Sequence, residues 1–183
     1  MSEMFPPELQ QDLVRFERAL LQLADTLGLD LSQFEADHIA LRCNQNTTAE
    51  QWKKTLLTLG ILISENQING RTICLFSLNE KITVGPLNID CVELPWPGQR
   101  FYPNEGWEHV ELVLAGSPET LHARALACLS DQALASPHIT LKFSQPGSDK
   151  ERLPNPTLAV SDGKTTIKFH PFSIRDVVAS EHM

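Results

Sequence analysis

Two short strings in this 183-residue chain share the form acid-His-aliphatic-x-Leu: Asp37-His38-Ile39-Ala40-Leu41 and Glu108-His109-Val110-Glu111-Leu112. Side chains alternate along a strand, so His38, Ala40 and Arg42 share one face while Ile39, Leu41 and Cys43 take the other. In the second string His109, Glu111 and Val113 lie opposite Val110, Leu112 and Leu114. Elsewhere Glu93 interrupts the apolar run Ile89-Asp90-Cys91-Val92-Glu93-Leu94, and Lys168 and His170 interrupt Ile167-Lys168-Phe169-His170. A buried imidazole or carboxylate loses water's hydrogen bonds, and a divalent ion that accepts its lone pair offsets the loss. His38, Glu93 and His109 are therefore candidate ligands of one ion, with His170 or Glu111 completing the set. Two histidines and a carboxylate with open positions suit zinc, manganese, nickel or iron. Glu111 is the candidate catalytic proton carrier, while Arg42 and Lys168 are candidates to hold an anionic substrate group. A plainer account stands beside this one: a strand histidine is commonly just hydrogen-bonded, Glu93 can pair with Arg42, and Glu111 can face solvent. The matched placement of the two histidines favours chemistry.

Those side chains need a frame, and the chain reads as an α+β domain in which one plan occurs twice after an N-terminal helix. Leu9, Leu13, Phe16, Leu20, Leu23 and Leu27 recur at helical spacing between Pro6-Pro7 and Gly28, which predicts an amphipathic helix of about five turns. The same spacing suits a short seam between two copies, so a homodimer is an alternative use of that face. The first module, within residues 35–97, opens with the His38 strand, and Thr48-Ala49-Glu50-Gln51 then has the form of a helix capping box. Strands over 61–68 and 71–78 flank the hairpin signal Asn69-Gly70, and a strand over 87–94 closes the module.

The second module, residues 106–172, opens with the His109 strand. Ser117-Pro118-Glu119 is expected to start a helix running to about Ser130. A strand over 139–143, a polar loop over 144–156 and a hairpin around Asp162-Gly163 follow, and Ser173 is placed to cap a short helix. The two modules are expected to form a curved mixed sheet around a cavity, with His38 and His109 facing each other across it. Trp96, Trp107, Phe101 and Tyr102 lie in the link, where they either wall that cavity or pin the crossover.

Composition narrows the partners. A net charge of −8 repels phosphate backbones and anionic lipid surfaces, so nucleic acid and membrane are poor first choices. No run approaches the roughly 20 apolar residues of a membrane helix and no signal-peptide pattern opens the chain, so a cytoplasmic location is expected. Cys43, Cys74, Cys91 and Cys128 form no Cys-x-x-Cys pair and read as reduced, apolar filling. His122, His138 and His182 read as solvated. No glycine-rich phosphate loop and no Gly-x-Ser-x-Gly elbow is present.

Several long strings resemble the YecM proteins. They include Ala36-Asp37-His38-Ile39-Ala40-Leu41-Arg42-Cys43, Val92-Glu93-Leu94-Pro95-Trp96-Pro97-Gly98 and Gly106-Trp107-Glu108-His109-Val110-Glu111. The resemblance continues through Glu151-Arg152-Leu153-Pro154-Asn155-Pro156 and Asp162-Gly163-Lys164-Thr165-Thr166-Ile167-Lys168-Phe169-His170-Pro171. It implies a fold similar to the vicinal-oxygen-chelate superfamily, in which paired βαβββ modules surround a metal and support isomerases, epimerases and extradiol dioxygenases. A ligand opening and another closing each module would correspond to His38, Glu93 and His109, with Lys168 at the position where that pattern usually has Glu, and His170 as the alternative. The function expected is a metal-dependent enzyme acting on a small organic acid. A non-catalytic metal or small-ligand binding module, or an interaction protein docking through its first helix, are the alternatives.

Overall fold

The computed structural model describes residues 4–145 and 153–181. Helix α1 (Pro7–Leu27) buries all six residues of the predicted stripe, from Leu9 to Leu27, and Gly28 ends it in the left-handed conformation at φ 72°. That stripe is occupied by the protein's own sheet, where Phe16 is wholly buried among core residues. Only Val14 and Leu21 of its large apolar side chains face outward.

The first module runs β1 (Glu35–Arg42), α2 (Asn46–Leu59), β2 (Gly60–Ile68), β3 (Arg71–Val84) and β4 (Leu87–Pro95). The second runs β5 (Gly106–Val113), α3 (Leu121–Ala127), α4 (Asp131–Ala135), β6 (Thr140–Ser144), β7 (Thr157–Ser161) and β8 (Thr166–His170), and helix α5 (Ile174–Ser180) follows. The strands join in one open, eight-stranded mixed sheet ordered β2-β3-β4-β1-β5-β8-β7-β6. In each module the opening and closing strands are parallel, β1 with β4 and β5 with β8, while β1 and β5 meet antiparallel in the middle. The sheet is therefore two matching halves joined edge to edge. No helix is long and apolar enough to cross a membrane among the described residues.

Local differences from the sequence expectation have physical reasons. Helix α2 starts at Asn46, earlier than a Thr48 cap would place it, and has no side-chain cap; the buried Ala49 holds its first turn. The helix expected from Ser117 begins as a 3-10 turn over Pro118–Thr120 and is broken before α4. There the Ser130 N–H donates to the Leu27 carbonyl at the end of α1, and the Ser130 hydroxyl caps α4 by accepting from Ala133 N–H. Strand β3 extends past Leu78 to Val84, with an irregular register between Ser77 and Ile82. Asn69 and Gly70, at φ 54° and 81°, form the tight turn their sequence predicts. Part of the loop expected over 144–156, and His182, lie outside the described residues.

Helices α1 to α3 pack on one face of the sheet through Ile39, Leu41, Val110 and Leu112. The other face carries the histidines and, over the first module only, helix α5. Its Ile174, Val177 and Val178 cluster with Leu75 and Cys91.

Candidate metal centre

The seam between β1 and β5 brings the two opening histidines together. Their ring centroids are 6.1 Å apart, and each ring is fully buried on the face away from α1. Pairing sets His38 opposite Glu111 and Ala40 opposite His109. Continuing outward, Ala40 pairs with Glu93 and Glu111 pairs with Lys168. Lys168 thus occupies in the second module the place that Glu93 occupies in the first. The carboxylate missing at that position is supplied one strand inward, by Glu111 where the first module has Ala40.

The result is four donors at one point. One donor atom each from His38, Glu93, His109 and Glu111 can be chosen so that all lie within 4.8 Å of one another. That is close to the span of about 4 Å set by opposite ligands at roughly 2.0–2.2 Å from one ion. His38 Nε2 is 2.9 Å from Glu111 Oε2 and 3.2 Å from Glu93 Oε2, but these are charge contacts rather than aligned hydrogen bonds. Nε2 of His38, His109 and His170 are all buried without an aligned hydrogen bond among the described residues; those of His38 and His170 are at charge-contact distance from carboxylates, and only that of His109 is not. Two imidazoles and two carboxylates gathered this closely are the donor chemistry a divalent ion requires, so the residues fit such an ion.

The opposite nitrogen of each histidine is held by the acid directly before it. His38 Nδ1 lies 3.1 Å from Asp37 Oδ2, and His109 Nδ1 lies 3.1 Å from Glu108 Oε1. Neighbours in a regular strand point to opposite faces, so these contacts need an irregularity. A β-bulge supplies it in each case. Ala36 pairs with Leu112 and His38 with Glu111, leaving Asp37 as the extra residue on β1. Ala40 pairs with His109 and Leu41 with Trp107, leaving Glu108 as the extra residue on β5. A bulge re-aims its extra side chain, and here it turns each acid toward its histidine. A carboxylate on Nδ1 fixes the ring and keeps Nε2 facing the centre.

Charge is distributed unequally between the two rings. Burial opposes a charge on His38, but the Glu111 carboxylate and the contacts with Asp37 and Glu93 outweigh it and hold the imidazole well above its ordinary range. His109 is pushed down to about 4 by burial and the nearby Lys168 charge, which Glu108 only partly counters. Glu93 and Glu111 are held below the usual carboxylate range despite burial, Glu93 by His38 and Arg42, Glu111 by His170 and His38. At neutral pH, His109 presents a free lone pair, whereas the His38 proton occupies the point between carboxylates that a cation would fill.

The remaining predicted residues take defined places. His170 is buried but lies outside the four-donor group; its Nε2 is 3.0 Å from Asp37 Oδ2 and its Nδ1 is 3.1 Å from Asn155 Oδ1. Asp37 Oδ2 also accepts from the Ile174 N–H at 2.8 Å, so one carboxylate oxygen joins His38, His170 and the start of α5. Arg42 is buried and spends its charge internally, 3.3 Å from Glu93 and 3.0 Å from Glu108. Lys168 faces the same cavity with no carboxylate at ion-pair distance among the described residues. That cavity, about 860 Å³, lies above the four donors. The link aromatics divide: Tyr102 lines the cavity beside Arg42, whereas Trp107 packs edge-on to Phe5 under α1, and Phe101 is exposed. His122 and His138 are exposed, His122 stacked on Phe143. The four cysteines are free.

Asp37, Glu108 and Asn155 are the site residues that sequence reasoning passed over. The signal for the first two was present, since both acids belong to the repeated string. Strict alternation assigned them to the wrong face.

Comparison with known proteins supplies the family. The model of the YecM protein family matches residues 6–181. Protein YecM of Escherichia coli (strain K12) is 58% identical over 174 residues, covering 95% of this chain and 93% of that protein. An uncharacterised protein of Haemophilus influenzae (strain Rd) is 40% identical over 172 residues, covering 91% and 90%. A solved structural-genomics protein, described as Protein EC4020, superposes with a TM-score of 0.89 at 57% identity, covering 95% of this chain and 91% of that one. With the family model spanning nearly the whole chain and two relatives well above the identity that shared ancestry requires, this chain belongs to the YecM family.

Proposed function

We propose that the protein is a metal-dependent enzyme acting on a small organic acid, with His38, Glu93, His109 and Glu111 holding one divalent ion. The observation that carries this reading is the gathering of donor atoms from two buried imidazoles and two carboxylates within 4.8 Å of one another. Two imidazoles and two carboxylates suit zinc, manganese, nickel or iron. A bound ion of this kind polarises a carbonyl or a pair of vicinal oxygens. Isomerase, epimerase and dioxygenase chemistry fit that capacity, and the doubled βαβββ plan supports the resemblance to the vicinal-oxygen-chelate superfamily.

The chain's own residues have distinct tasks in this reading. Asp37 and Glu108 orient the two imidazoles through Nδ1. His170 holds Asp37 rather than the ion. Glu111, 3.6 Å from His170, completes the ligand set or, where His38, Glu93 and His109 hold the ion alone, takes a proton from a substrate above the sheet. Lys168 supplies positive charge for an acidic substrate group. Elemental analysis of protein purified without chelator, followed by zinc, manganese and nickel titration, tests the reading; no ion retained and none bound would overturn it.

A non-catalytic binding module is the second reading. It is favoured by Lys168 standing where the first module has Glu93.

A further inference from the structure

The two halves of the sheet present matching rows on the cavity side, and the rows differ in one telling way. In the first module the row runs His109, Ala40, Glu93, Leu75, Ser64 across β5, β1, β4, β3 and β2. In the second it runs His38, Glu111, Lys168, Ala159, Lys142 across β1, β5, β8, β7 and β6. Glu93 corresponds to Lys168, Leu75 to Ala159 and Ser64 to Lys142. The first row is filled: Leu75 is buried under α5. In the second a methyl group stands between two lysines, and among the described residues no helix packs on it.

Lys142, Ala159 and Lys168 all line the cavity, as do the hydroxyls of Ser161 and Thr166 in the next row. Successive strands lie about 4.8 Å apart, so the two lysine positions are separated by about 10 Å, which lets flexible ammonium groups converge on a small anion over Ala159. Neither ammonium has a carboxylate at ion-pair distance among the described residues. The acids lining the cavity are Glu93, Glu108 and Glu111; Glu111 is the strand neighbour of Lys168, and none neighbours Ala159 or Lys142 in the row. In a chain of net charge −8, this is a local positive strip beside a candidate metal centre.

We propose that the strip Lys142–Ala159–Lys168 is an anion subsite that takes a dianionic phosphate group, making the substrate of the proposed centre a phosphorylated small acid. This rests on the metal-site reading for the word substrate, but the subsite stands on its own residues. A tetrahedral phosphate offers enough acceptors for two ammoniums and the Ser161 and Thr166 hydroxyls together. A dicarboxylate has the same charge and is the competing source.

The test is calorimetric titration of protein as purified with inorganic phosphate, and separately with malonate. The variants are Lys142→Ala, Lys168→Ala and Ala159→Leu, the last of which rebuilds the filled row of the first module while keeping both lysines. Lys53→Ala, on the far side beside Glu65, is the control. Phosphate is expected to bind the parent and Lys53→Ala alike, and about tenfold or more weaker to the other three. Malonate is expected to bind more weakly than phosphate. No phosphate binding by the parent, parent-like binding by Lys142→Ala and Ala159→Leu, or a preference for malonate would each overturn the proposal. Zinc titration of the parent separates the two readings: zinc binding without phosphate binding sinks only the subsite, and phosphate binding without zinc binding sinks only the metal centre.

Discussion

Asp37 and His38 are consecutive in strand β1, yet their side chains meet at 3.1 Å because Asp37 is the extra residue of a bulge. Glu108 and His109 repeat the arrangement on β5. A device present at both corresponding positions points to a role in orienting the rings, and this has a measurable consequence. Glu108→Gln and Asp37→Asn should each weaken metal binding about tenfold to a hundredfold, as losses of such supporting partners usually do. Circular dichroism should remain native for Glu108→Gln. Unchanged zinc affinity in both variants would show that the bulges serve only the sheet.

The proposed ligands give a sharper pattern. His38→Ala, His109→Ala and Glu93→Gln should each lose most of the affinity for zinc, manganese and nickel. Glu111→Gln decides between two roles: loss of binding makes Glu111 a ligand, whereas retained binding with lost turnover makes it a proton carrier. Parent-like titrations in all four variants would place the ion elsewhere.

Proton release should accompany metal binding. His38 is raised well above 6.5, so the folded, metal-free protein keeps its proton at neutral pH, and that proton must leave before Nε2 can bind a cation. His109, lowered to about 4, is already neutral and contributes no such release. Affinity should therefore fall with decreasing pH from well above 6.5, rather than only below the ordinary histidine value. Calorimetry in buffers of different ionisation enthalpy should record about one proton per ion at pH 7. A value near zero would contradict the assignment to His38.

Phe16 is wholly buried where α1 meets the sheet. Phe16→Asp places an unpaired charge in that contact and should cost about 4 kcal/mol or more of stability. Chemical denaturation measures it, and a midpoint equal to the parent's would mean that α1 adds little to the fold.

Most of the architecture was legible because it rests on periodicity. The α1 stripe, the Asn69-Gly70 turn and the repeated acid-His string each carry a local signal that tertiary packing does not override. The approach of His38 and His109 on one face followed from strand alternation and the doubled plan. Alternation also misled, since it turned Asp37 and Glu108 away from the site, and a bulge has no reliable mark in a single sequence. The fate of His170 was equally hidden. Its nitrogens are engaged by Asp37 and by Asn155, and the latter is supplied from a loop whose path no periodicity predicts. The break at Ser130 depended on a hydrogen bond to Leu27, far away in the chain.

The Ile174 N–H reaches Asp37 across a separation of 137 residues. During synthesis the acid emerges first, and at about 5–20 residues per second its partner follows on the order of ten seconds later. Until then the carboxylate that steadies His38 lacks the backbone donor that steadies it, and Leu75 and Cys91 have no cover from α5. His38 and Glu93 therefore reach their final surroundings only when β5 and the start of α5 have arrived.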